Sequence, residues 1–175
     1  MSATAGQMLV SVRDRCACVR IAGRVNFACS PDFKTLLNEL SNRGCTTFVL
    51  DLSECVLMDS TFLGVLAGFG LKCQQPQPDQ PERTLEVFNP SDRVAELLET
   101  LGVLHLFKVI RGAAALPATP EAQPLTPGSH SREELNRTCL EAHQLLMAAN
   151  PANAARFKDV VAFLAEDLKK QPPGR

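Results

Sequence analysis

Residues 46–52 of the chain read TTFVLDL, and residues 58–69 read MDSTFLGVLAGF. The first stretch is short, apolar and rich in β-branched residues, which is typical of a strand buried on both faces. In the second stretch the apolar residues change to helical spacing, and this predicts a helix that begins at or beside Ser60. A buried strand followed directly by a helix predicts an α/β fold with a parallel or mixed sheet.

The segments on either side continue this alternation of strands and helices. Turn residues and helix-capping residues separate short apolar runs, and the predicted order is β-β-α-β-α-β-α-β over residues 8–112. The predicted strands outside the first two stretches are 9–13, 16–21, 84–88 and 107–110. One predicted helix runs from its N-cap Ser30 to Gly44, and another begins at Asn89-Pro90-Ser91-Asp92 and ends at Gly102. We therefore expect a mixed sheet covered by helices.

A change of composition after residue 112 divides the chain into three predicted parts. They are a domain over 1–112, a Pro/Ala-rich linker over 113–130 and a C-terminal helical hairpin over 131–171. Ser131 followed by Glu134 is typical of a capping box at the start of the hairpin. A hairpin of about 40 residues is too small for a robust core. We expect it to dock on the main domain, on a second copy or on a partner.

The composition excludes several classes of protein. The chain has 175 residues, of which 45% are hydrophobic and 21% charged, and its net charge is −1. Nucleic-acid binding usually requires a basic face, so we expect no nucleic-acid partner. We expect no membrane association either, because there is neither a signal-peptide pattern nor a run of 18 apolar residues. Seven cysteines without a CxxC pair predict reduced thiols and a cytoplasmic protein.

No motif of a catalytic, cofactor or metal site is present in the sequence. There is no P-loop, no GxGxxG and no Ser-His-Asp or Cys-His pattern, so we expect neither an enzyme nor a cofactor. His105, His130 and His143 are interpreted as structural or solvated. Asp51, Glu54 and Asp59 lie close together in sequence, but Asp51 more simply marks the end of a strand. No metal site is expected.

The serine at the start of the second predicted helix carries the functional information. A hydroxyl there lies beside backbone N–H groups without intrahelical partners and at the positive end of the helix dipole. The helix would therefore tolerate a phosphate on Ser60, which adds about −1.5 to −2 charges. With Asp59 alongside, the surface would become strongly anionic and repel a docked partner. The alternative is that Ser60 is an N-cap with no further role.

The span from Leu9 to Arg111 resembles the STAS domain, the fold of bacterial anti-sigma factor antagonists. In that family an Asp-Ser-(Ser/Thr)-Gly-Leu-Gly motif opens the second helix, and here residues 59–64 read DSTFLG. A second landmark, a Gly-x-apolar-Asp turn, here reads Gly23-Arg24-Val25-Asn26. The resemblance implies a STAS-like mixed sheet, with the linker and hairpin lying outside it.

The resemblance also implies the site. Ser60 is then the phosphoacceptor, and the expected partner-binding residues are Asn26, Asp59, Ser60, Thr61 and Phe62. Phe62 replaces the family's usual glycine and is expected to add bulk beside the acceptor. Asn26 replaces an acid, which keeps a hydrogen-bonding group in the partner-facing loop but removes a charge.

Two functions from different classes follow as expectations. In the first, the protein is an anti-sigma factor antagonist that binds an anti-sigma factor or switch kinase when Ser60 is unphosphorylated, releases it on phosphorylation, and is reset by a phosphatase. In the second, it is a non-catalytic scaffold or oligomerising subunit of a signalling assembly, with the hairpin forming a homo-oligomer. A third hypothesis, a small-ligand or nucleotide-binding domain, has no supporting residue pattern.

Overall fold

The computed structural model describes residues 6–112 and 121–170. The strands are β1 (Gln7–Arg13), β2 (Cys16–Val25), β3 (Thr47–Met58), β4 (Thr84–Phe88), β5 (Lys108–Ile110) and β6 (Gln123–Pro124). The helices are α1 (Ser30–Asn42), α2 (Ser60–Gln74), α3 (Asp92–Thr100), α4 (Arg132–Ala149) and α5 (Ala154–Lys170). The predicted order of elements up to residue 112 is confirmed, and the predicted hairpin corresponds to α4 and α5.

The strands form one mixed sheet in the order β5-β4-β3-β2-β1-β6. β1 and β2 are an antiparallel hairpin, whereas β2, β3, β4 and β5 are parallel neighbours. β6 pairs antiparallel with β1 and was not predicted, since it lies in the expected linker. The first part of that linker, residues 113–120, lies outside the described residues.

β3 is longer than the sequence pattern predicts, and this positions the site. It continues beyond Leu52 to Met58, which pairs with Val25 at the end of β2. Two irregularities in the β2–β3 register precede this pair. The backbone N–H of Asp59 then donates to the Val25 carbonyl at 3.2 Å. The turn after β2 and the start of α2 are therefore adjacent.

The hydrophobic core lies between one face of the sheet and the helices. Alternate residues of β2 and β3 point into it and are fully or almost fully buried: Ala17, Val19, Ile21, Phe48, Leu50 and Leu52. The other face carries a small cluster of Cys18, Val49 and Phe88. Asp51 is buried and pairs with Arg20 at 3.2 Å.

The predicted N-cap of α1 is wrong. Ser30 is the first residue of the helix, and its buried hydroxyl donates to the Asn26 carbonyl at 3.1 Å. A 3-10 turn at Phe27–Cys29 precedes the helix, and Asn26 caps that turn. By contrast, Ser131 caps α4 as predicted, accepting from the backbone N–H of Glu134 at 3.1 Å.

The C-terminal hairpin docks on the main domain of its own chain. α4 packs along α2 and also contacts α1, while α5 packs mainly on α4. The buried Asn153, between the two helices, donates to the carbonyls of Leu101 at 2.9 Å and Leu146 at 2.8 Å. Lys34 on α1 pairs with Glu141 on α4 at 2.7 Å. Of the three docking sites left open by the sequence, the structure shows the first.

Candidate functional site at the start of the second helix

Asp59 joins the two loops of the candidate site. One carboxylate oxygen accepts from the backbone N–H of Phe62 at 2.8 Å and caps α2. The other accepts from the backbone N–H of Phe27 at 2.7 Å, in the turn after β2. Because Asp59 is the cap, Ser60 occupies the first helical position and its hydroxyl is not needed to cap the helix.

Asn26 also has a structural role in the same region. Its side-chain oxygen accepts from the backbone N–H of Ala28 at 2.9 Å. The residue is exposed, so part of its amide group remains available to a partner. Two of the predicted partner-binding residues are therefore caps: Asn26 caps the 3-10 turn, and Asp59 caps α2.

The Ser60 hydroxyl is bound by a histidine from the hairpin. Ser60 Oγ lies 2.9 Å from Nε2 of His143, which is 4% exposed. Nδ1 of the same ring lies 2.7 Å from the carbonyl oxygen of Cys139 and must carry a proton to bond it. In the neutral imidazole Nε2 is then an acceptor, so the Ser60 hydroxyl donates to it.

Thr61 makes a second polar contact with α4 and is buried beneath it, so it does not face a partner while α4 is docked. Its Oγ1 lies 3.1 Å from Sγ of Cys139, which is itself 3.6 Å from Nδ1 of His143. Burial opposes ionisation of the Cys139 thiol, but hydrogen bonds with His143 and Thr61 lower its pKa. Burial also opposes protonation of His143, yet hydrogen bonds with the Cys139 thiol and carbonyl raise the pKa of the imidazole. Each group thus stabilises the charged form of the other.

Phe62 lies in the core and not on the surface beside Ser60. Its side chain is fully buried and stacks on Phe33 of α1, with ring centroids 4.4 Å apart and planes at 15°. The expectation that Phe62 adds bulk beside the acceptor is therefore wrong, because the first turn of α2 directs position 62 inward. We do not retain it as a residue that contacts a partner.

Two apolar side chains near the site are exposed. Phe27, whose backbone bonds Asp59, is 49% exposed, and Val56, near the end of β3, is also 49% exposed. Single exposed apolar side chains are common on protein surfaces, so these two bear on partner binding only through their nearness to Asp59.

Two of the three carboxylates weighed as metal ligands, Asp51 and Asp59, are engaged in other contacts. Asp51 bonds Arg20 and the Ser53 hydroxyl, and Asp59 caps α2. Within residues 6–112 and 121–170, no group of three or more His, Cys, Asp or Glu side chains is placed to hold a metal ion. None of the helices in the same ranges is long and apolar enough to span a bilayer.

His143 and Cys139 are the site residues that the sequence analysis missed. They lie 83 and 78 residues from the side chains they contact. Their spacing of four places them on one face of α4, together with the buried Leu146. That stripe is visible in the sequence, but nothing in it indicates which surface the stripe covers.

Comparisons with known proteins agree with this architecture. Residues 7–114 match the STAS domain family. The fold is similar to that of the anti-sigma factor antagonist SpoIIAA in its unphosphorylated form, with a TM-score of 0.50 and 16% identity over 61% of this chain and 89% of that one. It is also similar to an anti-sigma factor antagonist from Mycobacterium paratuberculosis, with a TM-score of 0.50 and 17% identity over 60% of this chain and 85% of that one. A comparison with curated proteins gives no significant match. The family match covers more than half of the chain, which therefore belongs to the STAS domain family.

Proposed function

We propose that the protein is a phosphorylation-controlled binding module of the anti-sigma factor antagonist type. In its unphosphorylated form the surface around Asn26, Asp59 and Ser60 binds an anti-sigma factor or a related serine kinase. Phosphorylation of Ser60 releases this partner, and a separate phosphatase restores binding. The protein is then a substrate of these enzymes and not a catalyst, acting in transcription regulation in the bacterial cytoplasm.

The observation that carries the proposal is that Asp59, and not Ser60, caps α2. Ser60 can therefore be modified without loss of the cap. A phosphate at the first helical position would be stabilised by the helix N-terminus, while its charge and that of Asp59 would repel an acidic or apolar partner surface. The exposed Phe27 and Val56 supply apolar contact area beside it.

Partner capture from host lysate tests this proposal. The baits are the wild type, Ser60→Ala, Ser60→Asp and, as a matched control, Ser11→Asp, which places the same charge on β1, opposite Cys18 of β2. We expect wild type, Ser60→Ala and Ser11→Asp to retain the same protein. When ATP is added, it should phosphorylate Ser60 in the wild type and in Ser11→Asp, as detected by mass spectrometry of the peptide. We expect Ser60→Asp to lose it. Equal capture by all four baits would exclude the switch.

A scaffold function is the second candidate, and the outer face of α5 favours it. Phe163 is 67% exposed and Val160 is 40% exposed. Both side chains lie on α5, an amphipathic helix whose buried residue is Leu164. Self-association through this face would appear as a concentration-dependent mass in light scattering that Phe163→Ser abolishes. A strict monomer at all concentrations would exclude this function.

A further inference from the structure

Helix α4 covers α2 at the distance of direct backbone contact. A Cβ added at Gly64 would lie 2.6 Å from the carbonyl oxygen of Ala142 and 2.7 Å from its Cβ. One turn later, a Cβ at Gly68 would lie 2.9 Å from Cδ2 of Leu145. Two glycines four residues apart thus form a flat strip on α2 that only a helix with a small residue at the contact can approach so closely.

The polar contacts lie at the end of the same strip. Ser60 bonds His143 at 2.9 Å, and Thr61 bonds Cys139 at 3.1 Å. A phosphoryl group on Ser60 Oγ replaces the hydroxyl hydrogen that now bonds His143 and adds a phosphorus and three oxygens beside the imidazole. Ala142 already packs directly against Gly64, so α4 cannot move closer to α2 to restore these contacts once the hydrogen bond to Ser60 is lost.

From these contacts we infer that α4 is an intramolecular ligand of the Ser60 surface, and that its docking and a phosphoryl group on Ser60 exclude each other. This inference rests on the proposed function for the identity of Ser60 as the phosphoacceptor. In the docked state α4 holds the half-buried Ser60 hydroxyl in a hydrogen bond and packs on the glycine strip. A partner that reads this surface must bind after α4 leaves.

The strip also defines the chemistry of the partner. The surface that α4 now fills accepts an amphipathic helix with a small residue opposite Gly64 and a hydrogen-bonding side chain opposite Ser60. We therefore expect the partner to present a helix of this kind, in place of α4. On release, α4 exposes its own buried residues, Ala142, His143 and Leu146.

The ion pair between Lys34 and Glu141 gives a direct measure of docking. The two groups lie 2.7 Å apart, and both are partly exposed to solvent. A water-soluble carbodiimide condenses them to an amide, and the reagent takes up the lost water as its urea. The yield of the Lys34–Glu141 cross-linked peptide therefore reports how much of the protein holds α4 in place.

The test uses the full chain with phosphoserine introduced at position 60 during translation, and phosphoserine at position 11 as the matched control. We expect phosphoserine at position 60 to lower the cross-link yield at least fivefold and to speed amide hydrogen exchange in α4 at least tenfold. Exchange in β2 and β3 should stay as slow as in the wild type, which shows that the domain remains folded. An unchanged yield and unchanged α4 exchange would overturn the inference, for instance because the phosphate pairs with a protonated His143.

A second arm measures the masking of Ser60. In the Ser60→Cys variant, the rate of maleimide attachment at position 60 should rise at least tenfold when Ala142→Arg is added to expel α4. The control is Gln144→Arg, on an exposed position of α4. Equal rates in the three proteins would refute masking. Neither experiment needs a partner. Failure of these experiments would therefore exclude the docking of α4 on the Ser60 surface, whereas equal partner capture by the Ser60 variants would exclude the proposed function.

Discussion

At the scale of single residues, Asp59 determines what the neighbouring serine is free to do. It accepts hydrogen bonds from two backbone N–H groups, one in α2 and one in the turn after β2. We expect Asp59→Ala to lower the free energy of unfolding by about 2 kcal/mol, because a charged cap and a second hydrogen bond are lost together. Urea denaturation would measure this. Asp92→Ala, in the first turn of α3 but not its cap, should cost clearly less, and equal losses would contradict the role given to Asp59.

Phe62 shows how a departure from the family pattern becomes part of the core. The fully buried ring stacks on Phe33 at 4.4 Å, so Phe62→Ala should destabilise the protein by about 3–5 kcal/mol. Phe163→Ala is the control, since its side chain is 67% exposed and the loss should stay within about 0.5 kcal/mol. A loss below about 1 kcal/mol for Phe62→Ala would show that the core closes around the cavity.

Local sequence signals predicted some of these residues and not others. The Ser131 cap was predictable because a serine followed by a glutamate at the third position is a local pattern. The start of α1 was not, because a 3-10 turn capped by Asn26 precedes the helix. Cys29 therefore takes the N-cap position of α1 without a side-chain cap bond, and Ser30 lies inside the helix. The contact between Ser60 and His143 joins residues 83 apart, and no local pattern encodes such a pair.

At the scale of elements, the two glycines of α2 test how closely α4 must approach. At position 64 an added methyl meets the backbone of Ala142, whereas at position 68 it meets only the end of the flexible Leu145 side chain. We expect Gly64→Ala to displace α4, with faster hydrogen exchange across that helix. Gly68→Ala should leave exchange in α4 unchanged, and its higher helix propensity offsets the crowding by up to about 1 kcal/mol. Similar exchange in both variants would refute the close contact.

A histidine between two carboxylates holds the start of α4 to α1. Nε2 of His130 lies 2.7 Å from Asp32 and Nδ1 lies 3.1 Å from Glu134, and hydrogen bonds with Asp32 first and Glu134 second raise the pKa of His130. A raised pKa stabilises the folded protein fully below the unfolded value of about 6.5, and this contribution is lost as the pH rises through the folded value.

The pH dependence of unfolding tests the contribution of the His130 contacts with Asp32 and Glu134. In Asp32→Asn the main partner of His130 loses its charge, while the environment of His143 stays the same. The free energy of unfolding of the wild type should therefore exceed that of Asp32→Asn most at pH 5.5, and the excess should shrink by pH 8.5. Urea denaturation at the two pH values measures this excess. An excess that grows toward pH 8.5 would contradict the stabilising role of protonated His130.

At the scale of the whole molecule, stability should decrease from the sheet outward. β2 and β3 lie in the centre of the sheet, α4 packs on the helices that cover it, and α5 packs mainly on α4 with Leu164 as its buried residue. Native-state hydrogen exchange should therefore be slowest in β2 and β3, intermediate in α4 and fastest in α5. Exchange of all three at one rate would show that the hairpin and the sheet unfold only together.

At this scale the order of the elements was predictable, whereas the edge strand and the docking of the hairpin were not. Buried parallel strands and amphipathic helices carry strong periodicity, so their order up to residue 112 was predictable. β6 consists of Gln123 and Pro124 alone, too short to show a period, and it is defined by the edge of β1 that it covers. Where the hairpin docks depends on the fit between two helix surfaces, which periodicity does not describe.

β6 also anchors the hairpin close to its docking surface. The pairing with β1 continues in a bond from the Leu125 N–H to the Met8 carbonyl at 2.8 Å, and only residues 126–131 separate this anchor from α4. A tether this short keeps a released α4 at an effective concentration on the order of millimolar. A competing helix binds only the undocked fraction, so that if about 1% of the protein is undocked, the apparent affinity is about 100-fold weaker than the intrinsic one. By keeping α4 close, the two-residue strand raises the concentration that a partner needs in order to compete.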